Sequence, residues 1–106
     1  MPKETRRILF SPAELNEAMS LLATQSKFPM PPGTLDRVVF DPAKEPALVL
    51  TRRIVGSVMP QMFAFRKEEV AAGLILYCRS HKIPLPRNSR RSLVKHDDGA
   101  IFVIES

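Results

Sequence analysis

The stretch that decides the fold is ILFSPAELNEAMSLLATQSKFPMPPGTLDRVVF (residues 8–40), because it returns at residues 63–95 as FAFRKEEVAAGLILYCRSHKIPLPRNSRRSLVK. The two segments align without a gap at an offset of 55 residues, which is the spacing of Phe10 and Phe65. The identical pairs include Phe10/Phe65, Glu14/Glu69, Leu21/Leu76, Lys27/Lys82, Pro29/Pro84 and Pro31/Pro86. A unit that cannot bury its own apolar face is stabilised by packing on a second copy, so the repeat predicts a duplicated architecture.

Each copy has the pattern of a strand, a helix, a proline-rich stop and two further strands. In copy one, the sequence Ser-Pro-Ala-Glu at residues 11–14 matches a capping box and predicts a helix that runs to about Ser26. In copy two, Arg66 takes the place of the capping serine, and the helix is predicted from Lys67 to about His81. X-Pro steps force the preceding residue into extended backbone, so the proline runs end both helices.

These elements predict an α+β fold with two tandem βαββ units related by pseudo-two-fold symmetry. The 106 residues are expected to form a single domain, with copy one at residues 7–55 and copy two at residues 58–105. The two helices are expected to pack on one antiparallel sheet or on a sheet shared between the copies. Asp98-Gly99 predicts the turn of the last hairpin, which would pair Leu93 with Ile104.

Apolar residues at helical and strand spacing predict the core. The expected members are Leu15, Met19, Leu22, Phe28, Met30, Phe63, Phe65, Val70, Leu74, Tyr77, Ile83 and Leu85. Phe28 and Ile83 are expected to be buried, and the proline that follows each of them is expected to fix its position. Gly73 lies in the middle of the second helix at the position of Ala18, which fits either close helix packing or a merely tolerated glycine.

Cations dominate the second half of copy two, because no acidic residue occurs between Val70 and His96. The candidate polyanion-binding residues are Arg79, Lys82, Arg87, Arg90, Arg91 and Lys95. Arginine donors suit phosphate oxygens, and the net charge of +5 favours the same kind of partner. Charged runs are also common on plain solvated surfaces, and no zinc-finger, RNP or GXXG motif accompanies this one.

The sequence predicts no catalytic residues, no cofactor and no metal site. Ser11 is interpreted as a helix cap, and the adjacent carboxylates at 68–69 and 97–98 point apart rather than converge. Cys78 is the only cysteine, which excludes an internal disulfide and fits a cytosolic location. With only two histidines in addition, paired zinc ligands are lacking, and Cys78 is expected to be a small buried apolar residue.

No apolar run has the length of a membrane span. The charge-free run from Val70 to Cys78 is far shorter than the ~20 residues that a bilayer requires. No secretory apolar region follows the basic residues at the N-terminus, so a cytoplasmic protein without membrane contact is expected.

Three segments of copy two resemble a group of small, mainly alphaproteobacterial proteins of unknown function. They are Tyr77-Cys78-Arg79, Ile83-Pro84-Leu85-Pro86-Arg87 and Arg91-Ser92-Leu93. The resemblance covers residues 65–104 better than copy one and implies a bacterial source without implying an activity.

The function predicted from these features is that of a small, non-catalytic binding or assembly module. Its partner is expected to be an unidentified protein or a second copy of the chain, because an edge strand near Pro60 and apolar hairpin faces favour a homodimer. The alternative is a nucleic-acid-binding protein that uses the basic segment 79–95.

Overall fold

The computed structural model describes residues 4–27, 30–86 and 88–105. Its elements follow the chain in the order β1 (Thr5–Phe10), α1 (Pro12–Gln25), β2 (Gly33–Phe40), β3 (Leu48–Ile54), β4 (Gln61–Phe65), α2 (Lys67–Ser80), β5 (Arg90–His96) and β6 (Gly99–Glu105). The predicted α+β class is confirmed, and each copy supplies a strand, a helix and two strands. Both helices have 14 residues, and they begin 55 residues apart at Pro12 and Lys67.

The helix starts follow from local hydrogen bonds. The Ser11 side chain accepts from the backbone N–H of Glu14 at 3.2 Å, and the Glu14 carboxylate accepts from the backbone N–H of Ser11 at 2.9 Å. The equivalent start in copy two keeps only the acidic half of this box. Glu69 accepts from the backbone N–H of Arg66 at 2.9 Å, and the Arg66 guanidinium lies 3.4 Å from the same oxygen.

Both helices end through a lysine in the left-handed region, with φ of 64° at Lys27 and 57° at Lys82. In copy two, the N–H of Ile83 then donates to the carbonyl of Cys78 at 2.7 Å, which satisfies one of the last helical carbonyls. Ile83, which was expected to be buried, is half-buried and packs against the core, and Phe28 lies outside the described residues.

The strands form two three-stranded antiparallel sheets, where one sheet or a sheet shared between the copies was expected, and each of the two sheets contains strands of both copies. Sheet A has the order β1-β6-β5 and sheet B has the order β2-β3-β4. The first strand of each copy therefore completes the sheet of the other copy. Gly56, where φ is 84°, lies in the connection that brings β4 back to pair antiparallel with β3. Neither copy has a complete sheet of its own, so the two copies depend on each other.

The helices pack against each other at a pair of equivalent small residues. A Cβ atom at Gly73 would collide with the end of the Met19 side chain and would lie 3.1 Å from the carbonyl oxygen of Ala18. Gly73 occupies the position that Ala18 has in copy one. Close approach of the helices therefore accounts for this glycine.

The last hairpin has a different register from the one predicted. Leu93 pairs with Phe102, and His96 pairs with Gly99, so the turn residues are Asp97 and Asp98. Gly99 is needed for another reason, because a Cβ atom there would collide with the carbonyl oxygen of Phe10 at the end of β1. A tertiary contact, and not the turn, requires the glycine.

The core lies between the helices and the inward faces of both sheets. Of the predicted members, five are buried: Leu15, Met19, Val70, Leu74 and Tyr77. Six are half-buried and pack against the core: Leu22, Met30, Phe63, Phe65, Ile83 and Leu85. The prediction missed buried residues of the exchanged strand β1 and the central strands, among them Phe10, Leu48, Leu50, Phe102 and Ile104. Cys78 is fully buried, as predicted.

Arginine side chains donate hydrogen bonds to carbonyl groups of the proline stops. Arg52 is buried at the β3 position that Ile104 has in β6, and it donates to the carbonyl oxygen of Pro31 at 3.2 Å. In copy two, Arg91 donates to the carbonyl of Pro86 at 3.3 Å, and Arg6 donates to that of Pro84 at 2.9 Å. These bonds compensate for the proline segments, which have few backbone partners of their own.

Candidate functional site

The predicted polyanion-binding residues lie on several surfaces. Arg79 is in the last turn of α2, Lys82 follows that helix, and Arg90, Arg91 and Lys95 belong to β5. All five are exposed, whereas Arg87 lies outside the described residues. The structure brings Arg79 and Arg91 together on one cavity of about 310 Å³, which Ile83 and the following prolines also line.

Strand alternation separates the remaining cations. Leu93 packs against the core, so Arg91 and Lys95 share the inward side of β5 and Arg90 projects from the outward side. Lys95 lines a different cavity together with Asp97 and Asp98. The five described cations therefore do not form one continuous patch.

Two grooves lie at equivalent places in the two copies, beside the second strand and first helical turn of each. The copy-one groove encloses about 440 Å³ and is lined by Pro12, residues 35–40 of β2, and Lys95, Asp97 and Asp98 of the opposite hairpin. The copy-two groove encloses about 470 Å³ and is lined by Lys67, Glu68, Ala71, residues 91–93 of β5, Phe102, and Pro42 and Ala43 of the opposite loop. Each groove is thus built by both copies.

The two grooves differ in charge at equivalent positions. Asp36 of the copy-one groove corresponds to Arg91, and Pro12 corresponds to Lys67. Asp97 and Asp98 correspond to residues 42–43, which are proline and alanine. The copy-one groove holds three carboxylates and two cations, whereas the copy-two groove holds two cations and one carboxylate. The copy-two groove therefore suits an anionic group beside an apolar floor.

Apolar residues also lie on the outward faces of both sheets, where a polar residue would normally alternate. In sheet A, Leu9, Ile101 and Val94 stand directly opposite one another across the three strands, and Leu9 is 56% exposed. The equivalent row of sheet B consists of Ala64, Val49 and Val39. We call these rows outer row A and outer row B. Outer row A presents the larger side chains.

A polar cluster connects the two helices. Tyr77 donates from its hydroxyl to Glu14 at 3.1 Å, and its ring stacks on His81 with the centroids 4.1 Å apart. His81 Nε2 lies 3.5 Å from the Glu17 carboxylate. The hydrogen bond from the backbone N–H of Ser11 lowers the pKa of Glu14. Burial raises the pKa of Tyr77, and the bond to Glu14 raises it further.

This cluster stabilises the helix pair. Each polar group in it already has a partner within the protein: Tyr77 binds Glu14, and His81 faces Glu17. Burial also raises the pKa of the Cys78 thiol, which disfavours the reactive thiolate. In the part of the chain that the structure describes, no group of three potential metal ligands is found. No helix formed by the described residues is long and apolar enough to cross a membrane.

The sequence identified the basic residues, but it did not predict the grooves and the sheet face that the structure shows. The grooves were missed because each combines residues of both copies, such as Ala43 and Arg91. The apolar face of the last hairpin was predicted, but Leu9 was not predicted to extend it, because Leu9 comes beside Ile101 only when β1 joins the sheet of copy two. The available signal was the charge contrast between Asp36 and Arg91 at the same repeat position.

Comparisons with protein families, characterised proteins and solved structures yield no significant match. The resemblance to alphaproteobacterial proteins accordingly stays a prediction. The function has to be argued from the geometry of these surfaces.

Proposed function

We propose that this protein is a small, non-catalytic binding and assembly module. Outer row A carries the proposal, because it places Leu9, Ile101 and Val94 in one line across the outward face of sheet A. Exposed apolar residues that adjoin one another are typical of association surfaces, in contrast to single scattered ones. A sheet face of this kind is suited to packing on another sheet.

The partner proposed for outer row A is a second copy of the chain. A two-fold dimer brings the same patch of both subunits together, so a row of three apolar residues would face its own copy. We place this assembly in the cytosol and in a bacterium, as the sequence predicts. The buried, unreactive thiol of Cys78 is compatible with a reducing compartment.

Sedimentation velocity over a range of micromolar concentrations tests this proposal. The wild type should sediment as a dimer, and the double variant Leu9→Thr/Ile101→Thr should sediment as a monomer. The matched control is Val58→Thr, since Val58 is 97% exposed at the turn between β3 and β4 and lies outside outer row A. A wild type that is monomeric throughout, or a Val58→Thr variant that dissociates equally, would overturn the proposal.

Nucleic-acid binding is the second candidate, and the shared cavity of Arg79 and Arg91 favours it. Phosphate contacts release counterions, so the affinity for an oligonucleotide should fall steeply as salt rises. Replacing Arg87, Arg90 and Arg91 with glutamine should reduce the salt slope by about three contacts. Fluorescence anisotropy with single- and double-stranded oligonucleotides measures this slope, and identical curves for the wild type and the triple variant would exclude the candidate.

A further inference from the structure

We propose that the outer edge of β5, together with the copy-two groove, binds an extended acidic segment of a protein partner as an added strand. The inference deepens the proposed function and rests on it, because it names a partner class for a second surface of the same module. Backbone pairing would supply affinity, and the groove and its cations would supply specificity.

The first observation is the unpaired edge itself. β5 is the terminal strand of sheet A, and none of the described residues pairs with its outer side. It pairs with β6 in an uninterrupted register from Arg90↔Glu105 to His96↔Gly99. No proline or bulge interrupts it, so its edge can accept a further strand.

The second observation is the groove beside this edge. Residues 91–93 of β5 form one wall, and Lys67 and Ala71 of α2 lie on another. Phe102 of the adjacent strand β6 also lines the groove. Every second side chain of an added strand would point to this inward side, so an apolar residue opposite Leu93 would enter the groove.

The third observation is the charge along the edge. Arg90, Arg91 and Lys95 are all exposed on β5, and Lys67 faces the same groove as Arg91. Arg91 uses one guanidinium nitrogen for Pro86, and no other described residue accepts from this side chain. Glu68 is the one opposing carboxylate in the groove lining. An acidic segment is therefore the complementary partner.

The equivalent edge strand of copy one, β2, is less suited to pairing with an acidic segment. β2 has a register shift between Leu35 and Arg37, so its ladder is irregular. The register shift leaves Leu35 at the strand position that Arg91 has in copy two. The copy-one groove is lined by Asp36, Asp97 and Asp98 together with Arg37 and Lys95. With three carboxylates against two cations and an irregular ladder, this edge suits an acidic segment less well than β5 does.

A fluorescein-labelled peptide of sequence SEVLTEES serves as the probe, because read antiparallel it sets acids opposite Arg90 and Arg91 and leucine opposite Leu93. Anisotropy is measured at about 150 mM salt, where contacts beyond ~8 Å are screened. Binding should saturate, and Arg91→Gln should weaken it about tenfold, as expected for one charge-assisted contact. The matched control Arg7→Gln removes an exposed cation on the opposite edge strand of the same sheet and should bind like the wild type.

Backbone methylation distinguishes strand addition from simple charge attraction. Two further peptides carry N-methyl groups at the odd or at the even positions, which blocks hydrogen bonding along one edge each. One methylated peptide should lose binding and the other should retain it. Equal binding of both, no binding of the parent peptide, or equal effects of Arg91→Gln and Arg7→Gln would overturn the inference.

Two other occupants are outcomes of the same experiment. A dT oligonucleotide that binds in an Arg91-dependent way while the peptide does not would overturn the inference in favour of nucleic acid. Dimer formation that is lost in Arg91→Gln would show that a second copy fills the edge. Failure of the peptide leaves the test of outer row A unaffected, because the row lies on the outward face of sheet A and is tested by substitutions at Leu9 and Ile101, which are not in β5.

Discussion

The two copies have the same order of strands and helix, but the grooves beside their helices differ in charge. The copy-one groove has Asp36, Asp97 and Asp98 around a bulged strand, whereas the copy-two groove has Arg91 and Lys67 beside a regular strand. The cores are alike in kind, with Leu50 of β3 equivalent to Phe102 of β6. The two copies therefore keep a large apolar side chain at this central core position, whereas the charges that line their grooves differ in sign.

The largest effect is expected from truncating the equivalent core residues of the central strands. Phe102→Ala should lower the free energy of unfolding by about 3–5 kcal/mol and Leu50→Ala by about 2–5 kcal/mol, since both side chains are fully buried. Because each sheet contains strands of both copies, either variant should weaken the whole chain in one transition. Denaturant unfolding and amide hydrogen exchange measure this. If backbone amides of only one sheet stayed protected from exchange in either variant, the two sheets would not unfold together and the prediction would be wrong.

A smaller difference is expected at the start of the last strand of each copy. Gly99→Ala should cost about 1–3 kcal/mol, because the added methyl group meets the rigid carbonyl of Phe10. The equivalent copy-one residue is Ala47, which already accommodates a methyl group while its N–H donates to the carbonyl of Phe65 at 3.0 Å. Ala47→Gly should cost only about 0.5–1 kcal/mol. Thermal melts of the two variants test the contrast, and equal losses would contradict it.

The polar cluster between the helices distinguishes the copies, because Leu22 stands in copy one where copy two has Tyr77. Tyr77→Phe should cost about 1 kcal/mol by removing the hydrogen bond to Glu14. Because the pKa of Tyr77 is raised in the folded state, its contribution to the free energy of unfolding is complete below about pH 10. This contribution is lost as the pH rises through the folded-state pKa.

Glu14 acts in the opposite pH range. Because the pKa of Glu14 is lowered in the folded state, its contribution to the free energy of unfolding is complete above about pH 4.3. This contribution is lost as the pH falls through the folded-state pKa. Urea melts across pH measure both windows. Tyr77→Phe should flatten the alkaline loss and Glu14→Gln the acidic loss, and variants with the wild-type pH profile would show that these groups do not control it.

The smallest effect on stability is expected from exchanging the groove charges. Asp36→Arg and Arg91→Asp each alter an exposed side chain and should change the free energy of unfolding by no more than about 0.5 kcal/mol. Chemical denaturation of the single and double variants measures this. A loss above ~1 kcal/mol for Arg91→Asp would show that its bond to Pro86 is structural and that the grooves are not free to diverge.

The helices could be predicted because their signals are local. Ser11 and Glu14 specify one start, and the lysine-proline segments stop both helices within a few residues. The register of the last hairpin could not be predicted in the same way. Asp98-Gly99 has the composition of a turn, but Gly99 is required by the distant carbonyl of Phe10, and the turn moves to Asp97-Asp98.

The candidate site was predictable only as a set of residue types. The sequence shows that residues 79–95 are basic, yet strand alternation sends Arg90 and Arg91 to different faces and leaves Lys95 beside Asp97. Ala43 and Arg91 line the same groove, although Ala43 belongs to the loop after β2 in copy one and Arg91 to the edge strand β5 of copy two. Such neighbours have no sequence signal within either copy.

By itself, the sequence determined the duplication, the α+β class, the helix bounds and most of the helical core, since all of these follow from spacing and capping within about fifty residues. Only the tertiary structure decided that β1 and β4 exchange between the copies. That exchange divides the strands into two sheets, aligns Leu9 with Ile101, and leaves the edge of β5 unpaired. The physical reason is that strand pairing depends on which backbone segments come together in the folded chain. An alternating apolar pattern predicts a strand and its buried face, but it does not specify the strand with which it pairs.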